Sequence, residues 1–554
     1  MRLAKQSCWF VAVVMWTLGC HGGEAQREAA PDAGGVKASA SVTEVGSRAT
    51  TPDPDNQVAV APMPGQGRSE SAASIPAGMS AEGAGDRAVG PASGAKDAGA
   101  AGSTVGGDAS TASPGADAGP LLDPEIVGAL SAVDPMRIES SIATLSGFTT
   151  RNTCSDNSSS GDAIGAARDW IEAQFQAASQ FTASTESFST RGCRAMGTAH
   201  NVIAVKRGRT PERVLVIGGH YDSRSINGSD PTSVAPGAND SGSQTAALIE
   251  VVRALAPLEL DATILIAAFA GEEQGLLGSA QLASEYTTYT APDATIEAMF
   301  NMDIVGGDNT VNTEATLQQF RLYSPGTPRE LNTPMGTTDD TSPARGVMRY
   351  IERWGGLYVP SMTMLPMLRE DRPGRGGDQT SFHDLGIAAV RFIEAVETEN
   401  AGTNASHQHS ANDLPMYVTP SYTARVAQIV LAVSASLARA PMAPQLEGVT
   451  AGSGDAWSVR WSPPTAGPPV DHYLIAARPT SENFYRARVR VPAGTTSREV
   501  TAAELGVDAR SAFFVSVAAV DAAGHESLFS YPEHRCESGA CSVQPGSLAV
   551  TARN

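Results

Sequence analysis

The chain has 554 residues, 41% of them hydrophobic, which is enough apolar material for packed cores and argues against a wholly disordered protein. Its formal net charge is −20, from 39 Lys and Arg against 59 Asp and Glu. Proteins that bind nucleic-acid phosphates present a basic face, so this acidic balance argues against a nucleic-acid partner.

Residues 1–20 have the features of a bacterial export signal. Arg2 and Lys5 supply a positive start, and the apolar run at 9–18 is too short to cross a bilayer. The run ends in Leu-Gly-Cys, which resembles the cleavage box of bacterial lipoproteins and implies that Cys20 becomes lipidated. Without that modification the segment is still a secretory signal. The sequence therefore predicts an exported protein, either a cell-envelope lipoprotein tethered to a membrane or a secreted one.

Residues 21–122 consist mainly of Gly, Ala, Ser, Pro and Asp, with almost no aromatic residue. Such a segment buries too little apolar area to offset the entropy of ordering, so it is predicted to be a disordered linker.

Residues 123–440 are predicted to form an α/β domain. Apolar residues recur at helical spacing in 163–175 and 244–255, whereas five short runs are continuously apolar, as expected of strands buried on both faces. These runs are 201–206, 213–217, 263–270, 298–304 and 387–393. Strands that alternate with helices predict a mixed, mostly parallel sheet flanked by helices.

From residue 444 onward, apolar and polar residues alternate in short runs separated by turn residues, which is typical of a β-sandwich. The segments VRWSPP, around Trp461, and FFVSVAAVDAAGHES resemble strands of a fibronectin type III domain. The resemblance covers residues 444–533 and implies a spacer or a surface-binding module. Residues 534–554 are predicted to be a C-terminal tail.

Four cysteines lie outside the export signal, in two local sets: Cys154 with Cys193, and Cys536 with Cys541. An even number of cysteines in an exported protein predicts two disulfides. The competing interpretation is a zinc–thiolate site, but the chain contains no C-x-x-C pair to support it.

Histidine and acidic residues cluster where the predicted strands end. GGHYDS, GEEQGLLGS and NMDIVGGD each come at the end of a predicted strand, GANDSGS precedes the helix at 244–255, and HQHSANDL follows the last strand. These segments contribute His220, Asp240, Glu272, Glu273, Asp303 and His409. Open α/β sheets bind ligands at the carboxyl ends of their strands. Because catalytic zinc takes imidazole nitrogen and carboxylate oxygen, the sequence predicts a zinc site at this edge.

In this order, and together with GGDQTSF, the segments resemble the two-zinc aminopeptidases of metallopeptidase family 28 over about residues 135–440. The resemblance implies the phosphorylase/hydrolase-like fold of zinc exopeptidases and two Zn²⁺ ions. One ion would bind His220 and Asp303, the other Glu273 and His409, and Asp240 would bridge both. His407 is a rival to His409, but the register of the motif favours His409. The resemblance also implies a cis peptide bond between Asp240 and Ser241.

The resemblance assigns further roles around the ions. Glu272 would be the general base, taking a proton from the attacking water and passing it to the leaving amine. Apart from the resemblance, Asp222 is expected to accept a hydrogen bond from the metal-binding His220, because metal-bound histidines usually donate their other N–H to a carboxylate; the alternative is an ordinary surface aspartate. Asp378 matches a position of the family beside the site and would have a similar role. At Gln408 the chain departs from the family pattern, which often has a Tyr that helps to hold the oxyanion. Gln408 could donate an amide hydrogen bond instead, or the metals suffice.

The sequence therefore predicts a monomeric zinc exopeptidase that acts on peptides or proteins with a free N-terminus. The first alternative is a carboxypeptidase or a glutaminyl cyclase on the same scaffold. The second is a binding ectodomain without catalysis, against which the complete ligand set and Glu272 argue.

Overall fold

The computed structural model describes residues 120–159, 161–191, 193, 197–326, 341–371, 375–397 and 407–543. The predicted export signal, Cys20 and nearly all of the predicted linker lie outside the described residues. Within the described ranges, no helix has the length and apolar character needed to span a bilayer.

An eight-stranded sheet forms the centre of the α/β domain. Its strands are β1 (Thr182–Ser189), β2 (Thr198–Lys206), β3 (Thr210–His220), β4 (Ala262–Phe269), β5 (Thr295–Met302), β6 (Gln319–Tyr323), β7 (Thr363–Met367) and β8 (Ala389–Glu394). Their order in space is β1-β2-β4-β3-β5-β8-β6-β7. The four central strands β4, β3, β5 and β8 run parallel, whereas β2 pairs antiparallel with β4 and β6 pairs antiparallel with β8. The prediction of a mixed, mostly parallel sheet is confirmed.

Helices cover the sheet. They are α1 (Pro124–Leu130), α2 (Pro135–Gly147), α3 (Ile164–Gln176), α4 (Gln244–Leu255), α5 (Leu277–Glu285), α6 (Pro343–Tyr350), α7 (Gly356–Tyr358), α8 (Gln379–His383) and α9 (Pro420–Arg439). Aspartates start the first two helices: the carboxylate of Asp123 accepts a hydrogen bond from the N–H of Glu125, and that of Asp134 accepts one from Met136. Each bond satisfies a donor that the first turn leaves without a partner in the helix. Most residues of α4 and α9 are buried, because the two helices pack on each other and on the sheet.

The C-terminal part consists of two antiparallel sheets. Their strands are β9 (Gln445–Ala451), β10 (Ala456–Ser462), β11 (Val470–Pro479), β12 (Ala487–Pro492), β13 (Ser497–Thr501), β14 (Phe513–Asp521), β15 (His534–Glu537) and β16 (Ala540–Val543). The orders are β13-β10-β9 and β12-β11-β14-β15-β16. Trp461 of the first sheet packs edge-to-face on Tyr473 of the second, with ring centroids 5.3 Å apart. Residues 534–543, assigned to the tail in the sequence analysis, form β15 and β16.

The structure contains disulfides between both cysteine pairs singled out in the sequence. Cys154 before α3 bonds to Cys193, which lies between β1 and β2, with a Cα–Cα distance of 5.3 Å. Cys536 bonds to Cys541 and joins β15 to β16. Disulfides are typical of oxidising compartments outside the cytosol.

Buried ion pairs connect the β-sandwich to the helices of the α/β domain. Arg349 of α6 lies 3.2 Å from the carboxylate of Glu533, which also pairs at 2.6 Å with Arg478 of β11. Elsewhere along this boundary, Nε2 of His525 lies 2.8 Å from Oδ2 of Asp123, directly before α1. These charges are shielded from water, so the sandwich packs against the α/β domain at this boundary.

Replacing Glu533 with Gln is expected to lower the free energy of unfolding at neutral pH by about 3–5 kcal/mol, because two buried guanidinium groups lose their carboxylate. Burial alone would raise the pKa of Glu533, but Arg349 and Arg478 outweigh burial and hold this pKa below its ordinary value of 4.5. A carboxylate with a lowered folded-state pKa stabilises the protein above the unfolded-state pKa, and that contribution disappears as the pH falls through the folded value.

Urea unfolding of both chains between about pH 7 and about pH 3 checks this prediction. The difference in unfolding free energy should be largest near neutrality and shrink below about pH 4.5. Glu482 is a matched control, since it forms a surface pair with Arg486 in which both side chains are well exposed. Glu482→Gln should change stability by less than about 1 kcal/mol. A Glu533→Gln effect no larger than this control would contradict the prediction.

Candidate metal centre

Five predicted ligands meet at the carboxyl end of the parallel strands. His220 is the last residue of β3, Asp303 directly follows β5, and Glu273 lies in the turn after β4. Asp240 lies in the wide helical turn that leads into α4, and His409 lies in the loop before α9. Strand ends of the sheet, the turn before α4 and the loop before α9 therefore bring these side chains to one place.

The ligand atoms form two groups that share Asp240. In the first group, Nε2 of His220 lies 3.3 Å from Oδ1 of Asp240 and 3.4 Å from Oδ1 of Asp303. In the second, Nε2 of His409 lies 3.1 Å from Oδ2 of Asp240 and 3.3 Å from Oε1 of Glu273. Within each group, all ligand atoms lie within 4.8 Å of one another. A tetrahedral zinc ion with bonds of about 2.0–2.2 Å holds its ligands roughly 3.3–3.6 Å apart, so these spacings suit it.

Buried oxygens in both groups also fit a cation. Oδ1 of Asp240 and Oε1 of Glu273 accept no hydrogen bond within the described part of the chain, and each lies 3.3 Å from the histidine nitrogen of its own group. Burial of a carboxylate oxygen that accepts no hydrogen bond is costly, and a metal ion would remove that cost. The residues present therefore fit zinc.

The carboxylates create a negative potential at both histidines. Burial lowers the pKa of His409, but Asp240 and Glu273 outweigh burial and raise this pKa to about 10. The pKa of His220 also lies well above its ordinary value despite burial, and Glu272 is the largest single charge that raises it. An environment that favours added protons favours a metal cation for the same reason, and metal binding would displace the protons.

Hydrogen bonds to a buried aspartate, Asp413, hold the backbone around Asp240 in place. The carboxylate of Asp413 accepts hydrogen bonds from the N–H of Asn239 at 2.8 Å and from the N–H of Asp240 at 2.9 Å. Gly237 begins the turn with a φ of +54°, in the left-handed region that glycine adopts most easily. The peptide bond between Asp240 and Ser241 is cis, as the resemblance implies.

A cavity of about 480 Å³ opens beside the two groups. Besides the five ligands, it is lined by Arg224, Glu272, Leu276, Ile304, Glu370, Arg375, Gly376 and Thr380. Burial raises the pKa of Glu272 well above its ordinary value; His220 opposes this shift, whereas Glu273 and Asp303 add to it. Glu272 is thus a carboxylate that faces the cavity without belonging to either ligand group.

Asp222 and Asp378 are both fully buried. Nδ1 of His220 lies 3.1 Å from the main-chain oxygen of Asp222 and 3.4 Å from its carboxylate, so the main chain is the nearer acceptor. The Asp222 carboxylate accepts hydrogen bonds from the hydroxyl of Thr153 at 3.0 Å and from the N–H of Glu273 at 3.4 Å. Burial raises the pKa of Asp378 to about 7.

His407 and Gln408 lie outside both ligand groups. Nδ1 of His407 is 2.8 Å from Oδ2 of Asp308, and its ring stacks on Tyr417 with centroids 3.9 Å apart. Gln408 is buried, does not line the cavity, and has neither amide atom hydrogen-bonded to a described residue. Of the histidines at 407 and 409, the structure brings His409 into a ligand group.

Three charged residues that contact the ligand residues were not singled out in the sequence analysis: Arg224, Arg391 and Asp413. Arg224 contacts Glu273, and Arg391 contacts Asp303. A charged residue in a loop is usually exposed, so Arg224 carries no local signal. The sequence does contain a local feature that points to each of the other two residues. Arg391 interrupts an apolar strand, and Asp413 lies within the HQHSANDL segment.

Comparison with known proteins places the site in context. The model of peptidase family M28 matches residues 201–434. A probable zinc metalloprotease of Phaeosphaeria nodorum is 32% identical over 404 residues, which cover 67% of this chain and 81% of that protein. A probable zinc metalloprotease of Pyrenophora tritici-repentis is 33% identical over 383 residues, or 65% of this chain and 87% of that protein. Among solved structures, the LapA aminopeptidase of Legionella pneumophila aligns with 16% identity and a TM-score of 0.44, covering 58% of this chain and 77% of that one.

Proposed function

This chain belongs to peptidase family M28, and from that premise we propose that it is an aminopeptidase that binds two zinc ions and releases N-terminal amino acids from peptides or proteins. The observation that carries the proposal is the position of Asp240. Its Oδ1 faces His220 and its Oδ2 faces His409, 3.3 Å and 3.1 Å away. A carboxylate with one oxygen in each ligand group is the arrangement that a bridged pair of ions requires.

Each group of side chains has a distinct task in this reaction. His220 and Asp303 would hold one ion, Glu273 and His409 would hold the other, and Asp240 would hold both. When bound, the pair of ions supplies Lewis acidity, which polarises the scissile carbonyl and lowers the pKa of the attacking water.

Glu272 is the general base. Glu272 lines the cavity, whereas its chain neighbour Glu273 belongs to a ligand group. One of the two adjacent carboxylates therefore serves as the base and the other as a metal ligand. Glu272 accepts the proton of the attacking water and then returns it to the nitrogen of the departing amine. Such proton transfer contributes about 10²–10⁴ in rate.

The remaining charges of the cavity support an aminopeptidase over a carboxypeptidase. Each of the two arginines in its wall is already paired with a carboxylate: Arg224 with Glu273, and Arg375 with Glu397. Recognition of a substrate carboxylate needs a cation that is available to it, whereas a substrate ammonium needs an acidic wall. Glu370 lines the cavity and belongs to neither ligand group; its carboxylate accepts a hydrogen bond from Thr380 and adds negative charge to this wall.

Hydrolysis of aminoacyl p-nitroanilides, compared with the same substrates acetylated at nitrogen, tests the proposal. The free amine should be preferred by about 10²-fold or more in kcat/KM, which corresponds to the loss of a buried charge contact worth about 2–5 kcal/mol. Cleavage of N-blocked peptides from their free carboxyl end would identify a carboxypeptidase. Loss of ammonia from an N-terminal glutamine would identify a glutaminyl cyclase. Absence of all three activities in the zinc-loaded chain would favour a binding ectodomain.

Export and domain layout belong to the same proposal. The signal at 1–20 would direct the chain out of the cytosol. If Cys20 is lipidated, the protein would be tethered to a membrane; without that modification it would be secreted. The segment 21–122 would be the linker, 123–440 the peptidase domain and 444–533 a fibronectin type III-like module, to whose larger sheet residues 534–543 add β15 and β16. The two disulfides agree with an oxidising compartment. Within this proposal the enzyme acts as a monomer, Asp222 and Asp378 support the ligands, and Gln408 is held next to His409.

A further inference from the structure

Arg391 holds one of the ligand carboxylates from behind. It lies on β8, is fully buried, and its Nη1 is 3.2 Å from Oδ2 of Asp303. The same guanidinium pairs with the carboxylate of Asp371, donates to the main-chain oxygen of Gly376, and lies 4.8 Å from the ring centroid of Tyr323. These contacts restrain the guanidinium and, through it, the Oδ2 atom of Asp303.

Arg224 makes the equivalent contact in the second group. Its Nε is 2.5 Å from Oε2 of Glu273, and its side chain is 24% exposed where it lines the cavity. The other oxygen of Glu273, Oε1, faces Nε2 of His409 at 3.3 Å. Asp303 is divided in the same manner, since its Oδ1 faces Nε2 of His220 at 3.4 Å while Oδ2 contacts Arg391.

Asp303 and Glu273, the carboxylates that belong to one group each, are therefore held in the same way. In each, one oxygen faces the histidine of its group and the other oxygen contacts an arginine. Either oxygen of a carboxylate can coordinate a metal ion. When an arginine binds one oxygen, only the other oxygen can coordinate the metal. Asp240 has no arginine contact among the described residues, and the two oxygens of this bridging residue face different groups.

We propose that Arg224 and Arg391 are positioning residues that restrict Glu273 and Asp303 to coordination through a single oxygen each. This inference rests on the proposed two-zinc site. Single-oxygen coordination leaves room around each ion for water and substrate, as catalytic zinc sites require. The fixed orientation also reduces the entropy that each ligand loses when the metal binds, so the arginines contribute to affinity although they carry positive charge.

A second contact of Arg224 should respond to metal. Its Nη2 lies 2.9 Å from Nδ1 of His409. A neutral histidine that coordinates through Nε2 keeps its hydrogen on Nδ1, where it repels a guanidinium donor. This contact is therefore expected to open on metal binding, whereas the contact with Glu273 is compatible with the loaded site.

The test uses the full chain, stripped of metal and titrated with Zn²⁺ or Co²⁺ against a chromophoric chelator. In Arg224→Met, the affinity for one of the two ions should fall about 10–100-fold, and Arg224→Lys should recover most of the loss. The visible spectrum of the Co²⁺-loaded Met variant should weaken, because Glu273 can then bind through both oxygens and raise the coordination number. Arg391→Lys should produce the same changes at the other ion, because a single ammonium cannot contact both Asp303 and Asp371 as the two guanidinium nitrogens do. This variant keeps a charge for Asp371 in case Arg391→Met does not fold.

Arg253→Met is the matched control. Arg253 pairs with Glu250 at 2.8 Å, is 31% exposed, and lies at the end of α4 far from Asp240. Its removal should leave both affinities and the Co²⁺ spectrum at wild-type values. The inference is overturned if Arg224→Met and Arg391→Lys also keep wild-type values, or if Arg224→Met binds metal more tightly, since that would mean simple charge repulsion. A wild-type chain that retains fewer than two ions would instead refute the proposed two-zinc site.

Discussion

Replacing Glu272 with Gln is expected to reduce kcat by about 10²–10⁴-fold while leaving metal content unchanged. Glutamine keeps the size of the side chain but accepts no proton, so the attacking water loses its base. Glu272 faces the cavity and takes part in neither ligand group, which is why the ions should stay. Steady-state kinetics on an aminoacyl p-nitroanilide, with metal analysis of the same sample, measures both quantities.

Glu273→Gln is the matched control, because it makes the same chemical change at the adjacent residue. Oε1 of Glu273 lies 3.3 Å from Nε2 of His409 and belongs to the second group. This variant should lose metal from that group, and excess zinc should partly restore its activity. If Glu272→Gln lost metal and Glu273→Gln kept it, the roles of the two residues would be reversed.

Removal of metal by a strong chelator is expected to abolish activity completely, and return of zinc to restore it. Removal should also destabilise the fold, because Asp240, Glu273 and Asp303 bring three carboxylates together. Each ion stabilises the native state by about 4 kcal/mol when free zinc exceeds its Kd by about 1,000-fold. Thermal unfolding with and without chelator, read beside activity, tests both statements.

Two variants sharpen that experiment. Glu272→Gln should be destabilised by the chelator as much as the wild-type chain, since it keeps the ligands and loses only the base. Asp240→Asn weakens the residue shared by both groups and should be nearly insensitive to the chelator. A wild-type chain that stays active and equally stable in chelator would refute the metal centre.

Much of the fold and most of the candidate site could be read from the sequence because the signals were local. A buried parallel strand is a continuous apolar run, and the polar residue that ends the run lies at the carboxyl edge of the sheet. His220 and Asp303 were found in this way, and the structure places both in one ligand group. The disulfide between Cys536 and Cys541 was equally local, with a sequence separation of 5.

Strands at the periphery were not predicted. β1 is largely exposed along its length, and β6 and β7 are short and only partly buried, so none of them has a long apolar run. Their membership of the sheet depends on pairing with strands already in place.

The sequence by itself determined the central parallel strands, the ligand types and the order in which they occur, because each of these depends on residues adjacent in the chain. Only the tertiary structure decided which charges meet. Arg391 and Asp303 are 88 residues apart, and Arg224 and His409 are 185 apart. The docking of the β-sandwich through Arg349 and Glu533 is of the same kind. A charged residue gives the same local sequence signal whether its side chain faces water or a buried partner. The difference in free energy between these two states comes from desolvation, which depends on the rest of the fold.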